Sequence, residues 1–309
     1  MIDFDDQVVI VTGAGRGLGR LYSIEFARRG ASVVVNDVGS SMQGEGSDPA
    51  VADSVVSEIE QAGGRAIASY ESVASPTGAE EIVLAAVNSF GRLDAVVSNA
   101  GIFHTIPFEE LAARDWDRML TVHLNGGFYL SQQAFRVMKS QGYGRFVFMV
   151  SAAGLFGQPN SAHYAAAKSG LVGLANVIAI EGAPFGIMSN CVLPMGYSRM
   201  VLETVGDSPH PAVEPFLTAI KPELAVAMVV FLASRACELT HHNFSAAAGR
   251  YARVFTSLGQ GWLSPPGSVP TADDIASHLS EVSEIEPFTV PTSIFDEVAE
   301  ICRRREIPI

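Results

Sequence analysis

Three residues in the middle of the chain have the types and spacing that suit proton transfer. Ser151 precedes Tyr164 by thirteen residues, and Lys168 follows it by four. If the segment from Tyr164 to Ile180 is helical, the tyrosine and the lysine lie one turn apart on the same face, so the ammonium group can sit beside the phenol. Ser151 ends the apolar run FVFMVS, which predicts a buried strand. A short loop would then bring its hydroxyl to the helix.

These residue types predict the oxidation of an alcohol. An ordinary tyrosine has a pKa of about 10 and is a poor base at neutral pH. The Lys168 cation stabilises the phenolate and an oxidised nicotinamide ring would add a second positive charge, so we expect Tyr164 to take a proton from an alcohol. Ser151 would hold the substrate oxygen. A Y-x-x-x-K pair alone is most often two residues on a helix surface, so this interpretation depends on the other motifs.

A glycine-rich turn near the N-terminus predicts a dinucleotide site. QVVIVTGAGRGLGR joins an apolar strand to glycines at 13, 15, 17 and 19, and a helical pattern follows. Such a turn lets the backbone approach a pyrophosphate, whose charge the start of the helix favours. The next strand, in ASVVVNDVG, leads to Asp37, which would accept hydrogen bonds from the adenosine ribose and repel a 2′-phosphate. Arg16 favours NADP instead, but we give the carboxylate more weight and expect NAD.

Together these motifs resemble the short-chain dehydrogenase/reductase family. The resemblance rests on TGAGRGLG, on SNAG at residues 98–101, and on Ser151, Tyr164 and Lys168. VVNDVGSSMQGEGS and WDRMLTVHLNGGF are similar to one branch, the (3R)-hydroxyacyl-CoA dehydrogenase parts of peroxisomal multifunctional enzymes. The resemblance covers essentially the whole chain and implies an NAD-dependent enzyme acting on (3R)-hydroxyacyl-CoA thioesters. The alternative is a dehydrogenase of hydroxysteroids or other apolar secondary alcohols, and a more remote one is a non-catalytic NAD(H)-binding sensor.

The family's functional residues carry over onto this chain one at a time. Ser151 would orient the carbinol oxygen, Tyr164 would be the base, and Lys168 would lower the tyrosine pKa and hold the nicotinamide ribose. His123 stands where the family often has an asparagine of the proton relay, so it is either a relay member or a helix histidine satisfied by backbone. Besides Tyr164 and Lys168, the cofactor is expected to contact Gly13, Arg16, Gly17, Leu18, Gly19, Asp37, Ser72, Val73, Asn99, Ala100, Gly101 and Pro194.

The chain departs from the family pattern at Ser98, in place of the first asparagine of NNAG, and at Ser72, where an aspartate commonly reads the adenine. We expect neither change to abolish binding. The segment after Met195, up to about residue 215, is expected to form a lid that orders when substrate binds. Its mostly apolar composition leaves open an acyl chain, a sterol or a terpenoid. The substrate side is expected to include Ala153, Phe156, Gln158 and Met195.

Composition and hydrophobic pattern predict an α/β fold with a doubly wound parallel sheet, the Rossmann type. The 309 residues are 48% hydrophobic and 17% charged, which suits a large core. Helical patterns separate the predicted strands, so the ligand crevice should lie at the carboxyl ends of the strands. We assign residues 1–255 to this domain. The strands are predicted near Val8, Val33, Ile67, Ala95, Phe146 and Ser189.

Residues 256–309 are predicted to be a helical C-terminal extension that packs on the core or on a neighbouring subunit. GQGWLSPPGSVP breaks regular structure at its start. TADDIASHLSEV begins with a threonine N-cap, and PTSIFDEVAEICRRR has an apolar stripe of Ile294, Phe295, Val298 and Ile301. The stripe favours a core or subunit contact. We therefore expect a homodimer, or a tetramer built from it.

Charge and residue usage exclude several classes of function. The net charge of −13 disfavours nucleic-acid binding, since the only basic run is RRR at 303–305. Three cysteines without paired spacing favour a reducing compartment. The longest apolar runs are too short to span a membrane, and with neither an export signal nor a peroxisomal address we expect the cytoplasm. No metal is expected, because the His241–His242 pair lacks further ligands.

Overall fold

The computed structural model describes residues 1–198, 201–202 and 214–308. The chain forms two compact units, residues 1–253 and residues 254–309. The first unit is built on an eight-stranded sheet with the order β3-β2-β1-β4-β5-β6-β7-β8. The strands are β1 (Val8–Thr12), β2 (Ser32–Asn36), β3 (Arg65–Ser69), β4 (Ala95–Ser98), β5 (Gly144–Met149), β6 (Ile187–Met195), β7 (His242–Ala247) and β8 (Arg250–Val254).

Helices cover both faces of this sheet. They are α1 (Gly17–Arg28), α2 (Ala50–Gln61), α3 (Pro76–Phe90), α4 (Ala113–Leu120), α5 (Gly126–Gln141), α6 (Ala152–Phe156), α7 (Ala162–Gly182), α8 (Glu214–Ala219) and α9 (Glu223–Ala233). On one face α1 packs against α2 and α9, and on the other α3 packs against α5, which contacts α7. A π-helical turn, Thr121–Asn125, joins α4 to α5.

The central strands are parallel and run as continuous apolar segments. Every residue of β1, β2 and β5 is buried, because both faces of the sheet are covered. The register pairs Thr12 with Asn36 and Met149 with Val192, so the carboxyl ends of these strands meet at one edge. The predicted doubly wound parallel sheet and its six predicted strands are thereby confirmed.

Two strands of this sheet were not predicted. β7 and β8 follow each other through the turn at Ala248 and Gly249, both of which have positive φ. Their sequence, HNFSAAAGRYARV, has no run of large apolar residues, and most of its side chains are only partly buried or exposed. These last two strands at the β8 edge of the sheet lack the continuous apolar pattern that marks a buried strand in the sequence.

The second unit contains short helices and a small antiparallel sheet. β9 (Leu258–Gly259) pairs with β10 (Phe288–Thr289), and the helices are α10 (Ala272–Ser277), α11 (Leu279–Val282) and α12 (Ile294–Arg305). The predicted N-cap is present, because Thr271 forms a capping box with Asp274. The apolar stripe of α12 is exposed, with Phe295 at 75% and Ile294 at 70%, so it does not form the core of this unit. Among the described residues, no helix is long and apolar enough to cross a bilayer.

Candidate active site

A cleft of about 780 Å³ lies at the carboxyl edge of the sheet. It forms there because parallel strands end together, and the segments after them diverge to the two faces. Its walls come from the carboxyl ends of six strands, from the segments that follow them and from the start of α7. One representative for each strand is Gly13 after β1, Asp37 after β2, Ser72 after β3, Asn99 after β4, Ser151 after β5 and Pro194 at the end of β6.

The glycine-rich turn is fixed to β4 by hydrogen bonds around Thr12. The buried Thr12 hydroxyl accepts hydrogen bonds from the backbone N–H groups of Asn99 and Ala100, both at 3.0 Å. In return, the Asn99 side-chain amide donates to the carbonyl oxygens of Thr12 at 2.9 Å and Gly13 at 3.2 Å. The turn and the SNAG segment are therefore one rigid wall of the cleft.

Two glycines make this wall suitable for a pyrophosphate. Gly13 has φ +62°, and a Cβ atom there would lie 2.8 Å from the Ala100 Cα atom. Gly17, the first residue of α1, has φ +53°, and a Cβ atom there would enter open space. A side chain at Gly17 would fill the space that a phosphate needs at the start of the helix. The turn therefore fits a dinucleotide.

The cleft end beside β2 carries a carboxylate, Asp37, and a guanidinium group, Arg16. Asp37 accepts hydrogen bonds from Gly15 N at 2.8 Å and from Gly39 N at 2.7 Å, one on each carboxylate oxygen. Each oxygen keeps a second lone pair, which can accept a bond from a ligand hydroxyl. Arg16 instead donates to the Ser40 carbonyl oxygen at 3.1 Å.

Tyr164 and Lys168 lie on one face of α7, both buried against the cleft. The Lys168 Nζ atom donates a hydrogen bond to the Met149 carbonyl oxygen at 2.6 Å and lies 5.6 Å from the centre of the Tyr164 ring. Ser151 is the N-cap of α6, where its hydroxyl accepts a hydrogen bond from Ala153 N at 3.2 Å, and it also forms a hydrogen bond with Tyr164. The structure thus brings the serine, the tyrosine and the lysine together.

Burial has the largest effect on the pKa values of Tyr164 and Lys168. It raises the pKa of Tyr164 to about 12, against a smaller lowering by the hydrogen bond with Ser151. It also lowers the pKa of Lys168 to about 7. The expectation that the lysine lowers the tyrosine pKa is therefore not met by the protein groups alone, because desolvation penalises the phenolate more than its neighbours stabilise it.

His123 lies in the π-helical turn, buried beside Tyr164, with the two rings edge to face and 5.3 Å between centres. Its Nε2 atom lies 2.8 Å from the Ile102 carbonyl oxygen and 3.1 Å from Ile102 N. Burial holds its pKa well below the usual range, so the ring is neutral. Within the described part of the chain, its Nδ1 atom has no hydrogen-bond partner.

The cleft collects nearly all residues that the sequence singled out. Every predicted cofactor residue lines it, as do Ser151, His123, Gln158 and Met195. Ala153 is buried in the apolar cluster around Tyr164, whereas Phe156 is 70% exposed and does not line the cleft. The predicted lid falls largely on residues 199–200 and 203–213, outside the described residues. In the described ranges, no group of three or more His, Cys, Asp or Glu residues could hold a metal ion.

Sequence reasoning missed residues that act through the backbone or through distant contacts. Thr12 could have been found from the sequence, because it places a hydroxyl at the last strand position before the glycine turn. Met149 could not, because it contributes only its backbone carbonyl oxygen, which accepts the hydrogen bond from Lys168. Met42 and Phe103 also line the cleft and pack with Tyr164 in one apolar cluster.

Comparison with known proteins gives consistent matches. A family profile described as short chain dehydrogenase matches residues 7–206. A short-chain type dehydrogenase/reductase of Mycobacterium tuberculosis is 39% identical over 282 residues, which are 91% of this chain and 95% of that protein. The mouse peroxisomal multifunctional enzyme type 2 is 44% identical over 246 residues, which are 80% of this chain and 32% of that protein.

Solved structures agree with these matches. The full-length peroxisomal multifunctional enzyme type 2 of Drosophila melanogaster is similar with a TM-score of 0.81 and 31% identity over 99% of this chain. The chain covers 50% of that fly protein, so it spans a third to a half of these multifunctional relatives. The predicted resemblance to their dehydrogenase part is confirmed. The chain therefore belongs to the short-chain dehydrogenase family and is an oxidoreductase of that family.

Proposed function

We propose that this protein is an NAD-dependent dehydrogenase that interconverts a secondary alcohol and a ketone, with (3R)-hydroxyacyl-CoA thioesters as its substrates. The observation that carries the proposal is the convergence of Ser151 with the buried Tyr164 and Lys168 in one corner of the cleft. A protein that only senses a nucleotide has no use for a base beside a buried lysine. This favours turnover over the sensor alternative.

In the proposed reaction the chain moves the proton. The Ser151 hydroxyl orients the substrate oxygen, and the Tyr164 Oη atom takes the hydroxyl proton during oxidation and returns it during reduction. NAD⁺ would accept the hydride from the carbinol carbon. Lys168 stays beside Tyr164 through its bond to Met149 and would hold the nicotinamide ribose. The neutral His123 ring offers its Nδ1 atom to a proton relay.

Asp37 supports NAD rather than NADP. Its carboxylate stands at the cleft end beside β2, and a 2′-phosphate there would meet a negative charge. Arg16 is the opposing group, but its guanidinium is engaged with the Ser40 carbonyl oxygen. Because neither Gly15 N nor Gly39 N saturates a carboxylate oxygen, Asp37 remains able to accept ribose hydroxyls.

The remaining wall of the cleft supports an apolar substrate. Beyond the reactive corner it is lined mainly by Phe103, Met195, Phe216, Leu217 and Ile220. An acyl chain fits such a wall, and the similarity to the dehydrogenase part of multifunctional enzymes favours a CoA thioester. The hydroxysteroid alternative rests on the same apolar lining. A hydroxysteroid, unlike a CoA thioester, has no charged headgroup for the protein to bind.

We propose a homodimer in which the exposed stripe of α12 contacts a second copy, since four large apolar side chains on one helix face favour a partner.

We also propose a reducing compartment, the cytoplasm, because Cys191, Cys237 and Cys302 are buried free thiols. The mouse and fly relatives are named as peroxisomal enzymes.

The substrate assignment is tested by measuring NADH production from a (3R)-hydroxyacyl-CoA, its (3S) epimer, a 17β-hydroxysteroid and a simple secondary alcohol. Turnover of the (3R) thioester, weakened by salt and absent with the free hydroxy acid, supports the proposal. Turnover of the steroid alone would transfer the assignment to the alternative. Tight NADH binding without any turnover would favour the sensor.

A further inference from the structure

We propose that residues 40–45, here called the strap, are a positioning element that sets Ile102 and Phe103 against His123 and Tyr164. The strap leaves the cleft end that holds Asp37 and reaches the reactive corner. Its effect on turnover rests on the proposed function, whereas its effect on the His123 ring rests on the contacts alone.

The strap is a closed turn with a defined shape. Ser41 N donates a hydrogen bond to the Glu45 carbonyl oxygen at 2.8 Å, and Gly44 N donates to the Ser41 carbonyl oxygen at 3.0 Å. Arg16 donates to the Ser40 carbonyl oxygen at 3.1 Å, which fixes the start of the strap beside the glycine-rich turn. The strap therefore has one anchor in the cofactor end of the cleft.

The other anchor is the pair Ile102–Phe103. Phe103 N donates a hydrogen bond to the Met42 carbonyl oxygen at 3.0 Å, and the Met42 side chain packs on the cluster that contains Phe103 and Tyr164. Gly44 approaches Ile102 so closely that a Cβ atom on this glycine would lie 2.9 Å from the Ile102 Cγ2 atom. The strap is therefore in direct contact with both Ile102 and Phe103.

The pair Ile102–Phe103 also contacts His123 and Tyr164. The backbone of Ile102 provides the partners of His123 Nε2. The Phe103 ring meets the Tyr164 ring edge to face, 5.0 Å between centres. A shift of Ile102 and Phe103 therefore moves the histidine and the phenol together, and small misplacements of reacting groups are costly in rate.

Two glycines allow a matched test. Gly44 and Gly46 have similar φ values, +81° and +75°, so alanine strains the backbone alike at both. A Cβ atom at Gly44 meets Ile102, whereas one at Gly46 meets nothing within 4 Å. Gly46 also lies outside the cleft lining. A Cβ atom at Gly44 would also lie 3.4 Å from the Arg118 Nη2 atom, an ordinary contact distance, so a difference between Gly44→Ala and Gly46→Ala reports the clash with Ile102 when Ile102→Ala abolishes that difference.

The experiment measures kcat, the Kd of NADH and the ¹⁵N imidazole signals of histidine-labelled protein, with the His123 signal assigned from a His123→Asn variant. Gly44→Ala should lower kcat about tenfold, leave NADH affinity unchanged and move the His123 signal, while Gly46→Ala changes none of these. In the Gly44→Ala/Ile102→Ala double variant, the signal should return to that of Ile102→Ala, because the clash is gone.

The proposal is overturned if Gly44→Ala and Gly46→Ala give the same His123 signal and the same kcat. If the wild type turns over no substrate, the proposed function fails, but the His123 signal still decides whether the strap positions the ring. If Gly44→Ala does not fold, Met42→Ala replaces it. Removing that side chain from the cluster should also move the His123 signal, and an unmoved signal would overturn the proposal.

Discussion

The Nζ atom of Lys168 donates a hydrogen bond to the carbonyl oxygen of Met149 at 2.6 Å. This bond ties α7 to the end of β5, two residues before Ser151. One contact therefore holds the helix that carries Tyr164 against the strand that delivers the serine. It also gives the buried ammonium group an acceptor, although burial lowers the pKa of Lys168 to about 7.

The burial of Lys168 should make stability depend on pH. Its pKa is about 7 in the folded protein and 10.5 in an ordinary lysine, so between these values the unfolded chain binds more protons. The free energy of unfolding should then rise by about 1 to 2 kcal/mol between pH 7 and 8.5. Lys168→Met should lack this rise. Urea unfolding of both proteins at several pH values measures it, and equal pH slopes would contradict the buried, desolvated lysine.

The raised pKa of Tyr164 predicts opposite pH profiles for the two directions of reaction. Oxidation needs the phenolate, and because burial raises the pKa of Tyr164 to about 12, kcat/KM for oxidation should increase as the pH rises from 6 to 9. Ketone reduction needs the protonated phenol, so its kcat/KM should not increase. Initial rates in both directions over this range provide the measurement. A parallel increase in both directions would argue against Tyr164 as the proton carrier.

Thr12 should support both stability and cofactor binding. In Thr12→Val the N–H groups of Asn99 and Ala100 lose their acceptor, which should cost about 1–3 kcal/mol in the free energy of unfolding and weaken NADH binding. Thr12→Ser keeps the hydroxyl and is the matched control. Urea unfolding and NADH fluorescence titration are the assays. Wild-type behaviour of Thr12→Val would show that the hydroxyl does not organise this wall.

Asp37 should set the choice between the two nicotinamide dinucleotides. Asp37→Ser removes the charge that opposes a 2′-phosphate, so the ratio of kcat/KM for NAD over NADP should fall by at least about tenfold. Asp48→Ser is the control, because the Asp48 side chain accepts a hydrogen bond from Ala50 N and does not line the cleft. If Asp37→Ser keeps the wild-type ratio, the discrimination comes from another group.

Local patterns predicted the parts of the site that lie within one segment. The glycine turn after β1, the acid after β2 and the one-turn spacing of Tyr164 and Lys168 all follow from short-range geometry, and the six predicted strands follow from their apolar residues. The strands β7 and β8 were missed, since partly exposed strands of small and polar residues lack that pattern.

Features that depend on packing between distant segments could not be predicted. The contact of the strap with Phe103 joins residues some sixty positions apart, and the anchor of Lys168 is a backbone carbonyl oxygen that any residue type could supply. The raised pKa of Tyr164 in the protein without cofactor was not predicted, for the same reason. A charge nearby in sequence suggests a lowered pKa, but the degree of burial that outweighs it appears only in the folded chain.

The most direct test of the central claim is NADH production from a (3R)-hydroxyacyl-CoA by the wild type, Tyr164→Phe and Tyr129→Phe, the last being the same change on α5, away from the cleft lining. We expect turnover by the wild type and Tyr129→Phe, and a loss of at least about a hundredfold in kcat for Tyr164→Phe with NADH affinity retained. Turnover by Tyr164→Phe at the wild-type rate would contradict the account, because another group would then carry the proton.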